Sequence, residues 1–269
     1  MKTVEFFGLP CSGKTFIATI LRNRINKNCK ISHTYQSAFF EFIFNEKKIT
    51  FIEYLSLKYF RYFKNKNKKL FFSSNKKKNS YKKKKLYRNP ISDYFYKNYI
   101  NICTKYAKKK DNNLKKFIFR EIDNNHLLIN NAKRNAKLWF IEFFAYEYIV
   151  EKYNNKIDFL IDDEALYQKM FIFSNLIAND RFLKKYIKLL NKPSFLILVE
   201  SSTNKIISRS KKRVGTSKFN YQNFAHLTNM IEYKNKIKKV INKNVKLITF
   251  KNNYNYLKLI DNIYATITK

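Results

Sequence analysis

The spacing of apolar residues changes along the chain, and the changes separate strands from helices. Thr3 to Phe7 is a short apolar run halted by Gly8, whereas Ile17, Ile20, Leu21 and Ile25 recur at helical spacing within Lys14 to Ile25. That predicts a strand, a glycine loop and a helix in succession. Cys29 to Gln36 reads as a second strand. Beyond it the pattern turns helical: Ile52, Leu55, Tyr59, Phe60 and Phe63 share one face, expected to pack into a core. Tyr94, Tyr99, Ile102 and Tyr106 mark another helix, and Leu138, Ile141, Phe144 and Tyr148 a third.

From residue 155 the alternation resumes. The run IDFLI predicts a strand, followed by a helix through Met170 and Ile177, then SFLILV, a helix from Thr203, a helix from Tyr221 to Ile241, VKLITF and a closing helix to Thr268. Strands alternating with helices predict an α/β fold: a mainly parallel sheet with helices on both faces, three layers in all. The expected division is an α/β core of residues 1–36 and 153–269 and a long helical insertion over 37–152.

The stretch FFGLPCSGKTF carries the most specific signal. Gly8-Leu-Pro-Cys-Ser-Gly13-Lys14-Thr15 has the phosphate-loop spacing Gly-x-x-x-x-Gly-Lys-Thr, and it lies where a strand feeds a helix. Glycines permit turns and close backbone approach, amides at a helix start point at phosphate oxygens, Lys14 adds positive charge and Thr15 offers its hydroxyl to Mg2+. Gly8, Pro10, Cys11, Ser12, Gly13, Lys14, Thr15 and Phe16 are therefore the expected nucleotide contacts, with ATP and Mg2+ as cofactors. With only 3 glycines in the chain, two of them in this motif leave little room for chance.

A second element is IDFLIDDEAL, whose apolar strand ends in Asp162, Asp163 and Glu164. A strand parallel to the first would bring these carboxylates beside the glycine loop, one for the magnesium shell and another to accept a proton or orient water. While the strand persists, Asp162 and Glu164 share a face and Asp163 opposes them. The favoured pair is Asp163, with Thr15 at the metal, and Glu164. A third element, SFLILVESSTNKIISRSKKRVG, places Arg209 and Arg213 one turn apart on a helix that Gly215 can end.

In the order of these parts the chain resembles the P-loop kinases of the nucleoside and nucleotide kinase type, over roughly residues 1–30 and 155–269. The resemblance implies a P-loop fold, γ-phosphate transfer from magnesium ATP, and lid arginines at Arg209 and Arg213 that neutralise the transferred phosphoryl group. The chain departs from that type where Asp-Asp-Glu-Ala replaces an acid followed by Arg. Glu5 to Thr15 and Asp163 to Gln168 are also similar to small P-loop proteins encoded among bacterial surface-polysaccharide genes, whose patterns run EFxGxPGSGKS and DEGxxQ. That likeness implies a setting in polysaccharide biosynthesis.

The net charge of +37 changes the picture less than its size suggests. Lysine, asparagine, isoleucine, phenylalanine and tyrosine are abundant throughout, the mark of an AT-rich coding sequence, and arginine supplies only nine of the 56 basic residues. Nucleic acid is not the expected partner. One block does stand apart: residues 64–88 hold twelve positive charges and no acid. A self-repelling run of this kind reads as a solvated loop, with an arm for an anionic membrane surface or nucleic acid as its functional alternative.

Three cysteines without metal spacing predict reduced thiols and a cytoplasmic setting, and no apolar run has the length of a membrane span. The expected activity is a phosphotransferase acting on a small-molecule acceptor, a sugar or nucleotide among the options. Arg120, Lys133 and Arg134 are candidates for holding that acceptor. A regulatory switch ATPase and a basic polyanion-binding protein are the alternatives.

Overall fold

A computed structural model describes residues 1–28, 30–45, 49–73, 90–110, 112–125, 130–173, 180–212, 224–242, 245, 247–252 and 256–268; side chains are described for these except 63–73, 90, 92, 211–212, 224–227 and 242. It is an α/β protein that divides into two compact units. One comprises Met1–Tyr35, Asn112–Lys137 and Tyr153–Lys269, the other Gln36–Asp111 and Leu138–Lys152.

The first unit is built on five parallel strands: β1 (Lys2–Phe7), β2 (Ser32–His33), β3 (Phe159–Asp162), β4 (Phe195–Glu200) and β5 (Leu247–Lys251), in the order β2-β3-β1-β4-β5. Val4 and Phe6 of β1, Phe159 and Ile161 of β3 and Ile197 and Val199 of β4 lie in one buried cluster. Helix α1 (Lys14–Lys27) contributes Ile17, Ala18, Leu21 and Ile25 to it, and the last helix of the chain contributes Leu259, Ile260, Ile263 and Ile267. Truncating the fully buried Leu21 to alanine costs on the order of 2–5 kcal/mol.

Successive strand residues face opposite sides of a sheet. Phe7, Leu160, Leu196 and Leu198 therefore face away from that cluster, yet all are buried, so the second face is covered too. Near-continuous apolar runs such as FLILV belong to strands buried on both faces. On this side Tyr167 lies close enough to Glu5 to feel its charge.

The second unit holds α2 (Tyr35–Ile43) beyond its first residue, α3 (Phe51–Ser73), α4 (Pro90–Lys109) and the C-terminal part of α6 (Asn130–Lys152). Aromatic rings dominate its core: Phe60 stacks on Tyr99 with centroids 3.8 Å apart, and Tyr59 on Phe95 at 4.6 Å. The hydroxyls of Tyr99 and Tyr146 bond to each other in the interior, and burial raises both above the ordinary tyrosine pKa.

Four expectations are corrected. The second strand shrinks to Ser32–His33, because helix α2 begins at Tyr35. The face of α3 expected in the core is split: Leu57 and Ser56 are buried and Tyr59 and Phe60 half-buried, whereas Ile52 and Leu55 are exposed. Residues 112–137 group with the sheet, since Phe117 of α5 (Asn113–Asp123) stacks on Phe182 at 5.4 Å. The helix expected through Met170 and Ile177 is, among the described residues, α7 (Leu166–Lys169) with Met170 in a 3-10 turn to Phe173, then α8 (Asp180–Leu189); Ile177 lies outside the described residues. The remaining helices are α9 (Thr203–Lys212), α10 (Phe224–Asn242) and α11 (Tyr256–Thr268).

Candidate functional site

Strand β1 ends at Phe7, and the chain from Gly8 to Gly13 wraps into a loop that opens α1. Three residues take positive φ: Gly8 at 146°, Cys11 at 65° and Gly13 at 101°. Both glycines are required by space as well as by backbone angle. A Cβ on Gly8 would sit 2.5 Å from the Val199 carbonyl oxygen, and one on Gly13 would sit 2.3 Å from Nδ2 of Asn252.

Helix α1 starts with neither a side-chain cap nor an acidic residue in its first turn. Its leading amides therefore keep donor capacity and a partial positive charge. The Lys14 ammonium is buried beside them, donating to the carbonyls of Gly8 (3.0 Å) and Leu9 (3.1 Å). The Ser12 hydroxyl is enclosed in the same loop and has no hydrogen-bond partner among the described residues.

The sheet register delivers the acidic strand end to this loop, for Glu5 pairs with Asp162. Strand β3 stops at Asp162, so the strict alternation ends there. The Thr15 hydroxyl donates to Oδ2 of Asp163. Asp162 turns to the backbone, accepting from the amides of Glu164 (2.8 Å) and Tyr35 (3.0 Å). Burial, and next the charge of Asp163, raise the Asp162 pKa from 3.8 to about 6. Glu164 is exposed at the rim.

From the other side, β4 and β5 bring two more residues to the loop. The Arg209 guanidinium donates to the carbonyls of Cys11 and Ser12, each at 3.2 Å. Asn252, just past β5, donates through Nδ2 to the Ser12 carbonyl (2.8 Å) and through its amide to the Glu200 carbonyl (2.7 Å). Glu200 is in turn held by Lys234 and Lys238 of α10 at 3.4 and 3.3 Å, and despite partial burial those lysines draw its pKa down. The carbonyls of Cys11 and Ser12 thus point toward Arg209 and Asn252, while Lys14 holds those of Gly8 and Leu9.

The expected contacts Gly8, Cys11, Ser12, Gly13, Lys14 and Thr15 are therefore gathered with Asp163 and Arg209. Pro10 forms part of the same turn, half-buried. Phe16 is exposed on the first turn of α1, edge-on to Tyr256 with centroids 5.2 Å apart. Arg213 lies outside the described residues, as do residues 74–88 of the lysine block. Arg120 pairs with its neighbour Glu121, Lys133 donates to the Asp123 carbonyl and Arg134 is exposed.

Two residues of the site were missed from sequence. Gln168 accepts the Gly8 amide through Oε1 at 3.0 Å, and it stood without a role at the end of the stretch Asp163 to Gln168. Asn252 had no signal at all: one asparagine among many, given meaning by strand order. Among the described residues no helix is long and apolar enough to cross a membrane, and no cluster of three or more His, Cys, Asp and Glu residues could hold a metal. Compared with models of known protein families and with curated protein sequences, the chain matches none.

Proposed function

We propose that the chain is a P-loop phosphotransferase that binds magnesium ATP at the loop of residues 8–15 and moves the γ-phosphate to a small hydroxyl or phosphate acceptor. The observation that carries the reading is the meeting of Thr15 with Asp163 beside Lys14, at the uncapped start of α1.

The residues present suit the cofactor. Magnesium prefers oxygen donors and keeps several of its ligands as water and phosphate, so one hydroxyl and one carboxylate suffice from the protein. Thr15 and Asp163 would be those two. When bound, magnesium ATP supplies the transferable phosphoryl group and much of the charge neutralisation for its transfer.

The protein's share is positioning and electrostatics. Amides of the loop and of the first turn of α1 orient phosphate oxygens, and the Lys14 ammonium, now resting on two loop carbonyls, adds a full positive charge. Arg209 and Asn252 hold the carbonyls of Cys11 and Ser12 to one side, which leaves the amides at the uncapped start of α1 for the anion. Asp162 supports the acidic turn through two backbone amides and takes no part at the phosphate. Glu164, exposed beside Asp163, is the base placed to accept a proton from an acceptor hydroxyl.

Titration calorimetry with magnesium ATP tests the binding step. Wild type is expected to bind, and Lys14→Ala to bind at least tenfold more weakly; equal affinity in the two refutes the reading. Phosphoryl transfer is tested by following ATP consumption against panels of nucleosides, nucleotides and sugars, with mass spectrometry of the products. Rapid release of inorganic phosphate that ignores every acceptor replaces the kinase with a switch ATPase.

A further inference from the structure

The outward face of α3 carries side chains that water does not favour. Phe51, Leu55, Lys58 and Tyr62 follow one another at helical spacing along a single stripe, and Ile52 and Arg61 flank it. Phe51 is 73% exposed, Tyr62 61% and Ile52 51%. The opposite face, with Leu57 and Ser56, is the one buried within the second unit. An ordinary surface helix puts its apolar stripe inward, so α3 has two apolar faces where packing inside its unit needs one.

The stripe has a definite sign. Lys58 lies over the ring of Tyr54 at 4.6 Å, and Lys58, Arg61, Tyr54, Tyr62 and Phe44 line an open cavity of about 490 Å³. No acidic residue is among these. By sequence, the last part of α3 from residue 64 and the chain after it as far as 88 form the block with twelve positive charges and no acid.

We propose that this face of α3 docks on an anionic lipid bilayer. Aliphatic and aromatic side chains beside lysine and arginine are the pair of signals that hold a peripheral helix at a membrane: apolar groups enter the headgroup boundary while cations meet anionic headgroups. Single-stranded nucleic acid is the rival polyanion. It would be bound chiefly by flat rings on which bases stack, whereas here Ile52 and Leu55 are exposed beside the rings of Phe51 and Tyr62, aliphatic area that an acyl layer takes up and a base does not stack on. The proposal is independent of the phosphate-loop reading.

The test is flotation of the full-length protein with vesicles of phosphatidylcholine alone or with 30% phosphatidylserine. Wild type should float with the anionic vesicles only, and binding should weaken as salt rises. Lys58→Gln with Arg61→Gln should lower the partition coefficient roughly 30-fold, from about fivefold per cation near the surface. Phe51→Ser with Leu55→Ser should also lower it at least tenfold with both cations intact. All four positions are exposed, so circular dichroism should show unchanged folding. Equal binding to neutral vesicles, or anionic binding untouched by both variants, overturns the proposal. So does a concentration-dependent dimer, or single-stranded oligonucleotide binding, that the Phe51→Ser, Leu55→Ser variant abolishes while vesicle binding persists.

Discussion

Gly13→Ala offers a quantitative test of how the loop is held. Gly13 has φ 101°, and a Cβ there would lie 2.3 Å from Asn252 Nδ2. The backbone term alone costs roughly 1–2 kcal/mol for a residue with a side chain. The close contact adds a second term. Asn252 must swing away and surrender its bond to the Ser12 carbonyl, a net loss of about 1 kcal/mol because Arg209 still serves that oxygen. The expected destabilisation is therefore about 2–3 kcal/mol. Asn252→Ala alone should cost about 1 kcal/mol for the same bond.

In the double variant that bond is lost only once, so Gly13→Ala with Asn252→Ala should be no less stable than Gly13→Ala by itself. The coupling of about 1 kcal/mol is measurable by urea denaturation if the slopes stay equal. Additive costs would refute the contact. Gly8→Ala has no such rescue. Its obstacle at 2.5 Å is the carbonyl of Val199, a backbone group of β4 in the ladder with β5.

Asp163→Asn should reduce turnover far more than ATP affinity and should weaken the response to magnesium, as seen in initial rates at varied metal; a variant of normal rate would remove Asp163 from the site. Glu164→Gln, by contrast, should leave binding of magnesium ATP intact by calorimetry and slow only acceptor-dependent turnover. Asp162 should make stability fall with rising pH in the metal-free protein. Its folded pKa of about 6 lies above the unfolded 3.8, so between these values the folded state holds the extra proton. The penalty is absent below about pH 4 and complete above about pH 6, on the order of 3 kcal/mol. Asp162→Asn should flatten that slope in chelator-treated samples; an unchanged profile would contradict it.

What the residues alone determined was local. The glycines, Lys14 and Thr15 are adjacent in the chain, so their spacing exposes the loop to reading. Apolar period likewise revealed a parallel α/β sheet, because strands buried on both faces must be continuously apolar. The order of those strands was decided by tertiary structure. Only when β1 lies between β3 and β4, with Glu5 opposite Asp162, does Asp163 meet Thr15 and Asp162 turn to the amide of Tyr35.

Arg209 was legible as an arginine of note, yet its contact with the carbonyls of Cys11 and Ser12 depends on how α9 leaves β4. Asn252 and Gln168 lie 240 and 160 residues from their loop partners, and no local rule distinguishes them from other amides. Ile52 and Leu55 show the converse. Helical period placed them on one apolar face, but period says which residues share a face and nothing of whether that face is covered. The packing of Phe60 on Tyr99 and of Tyr59 on Phe95 fixed the rotation of α3 and left that stripe in solvent.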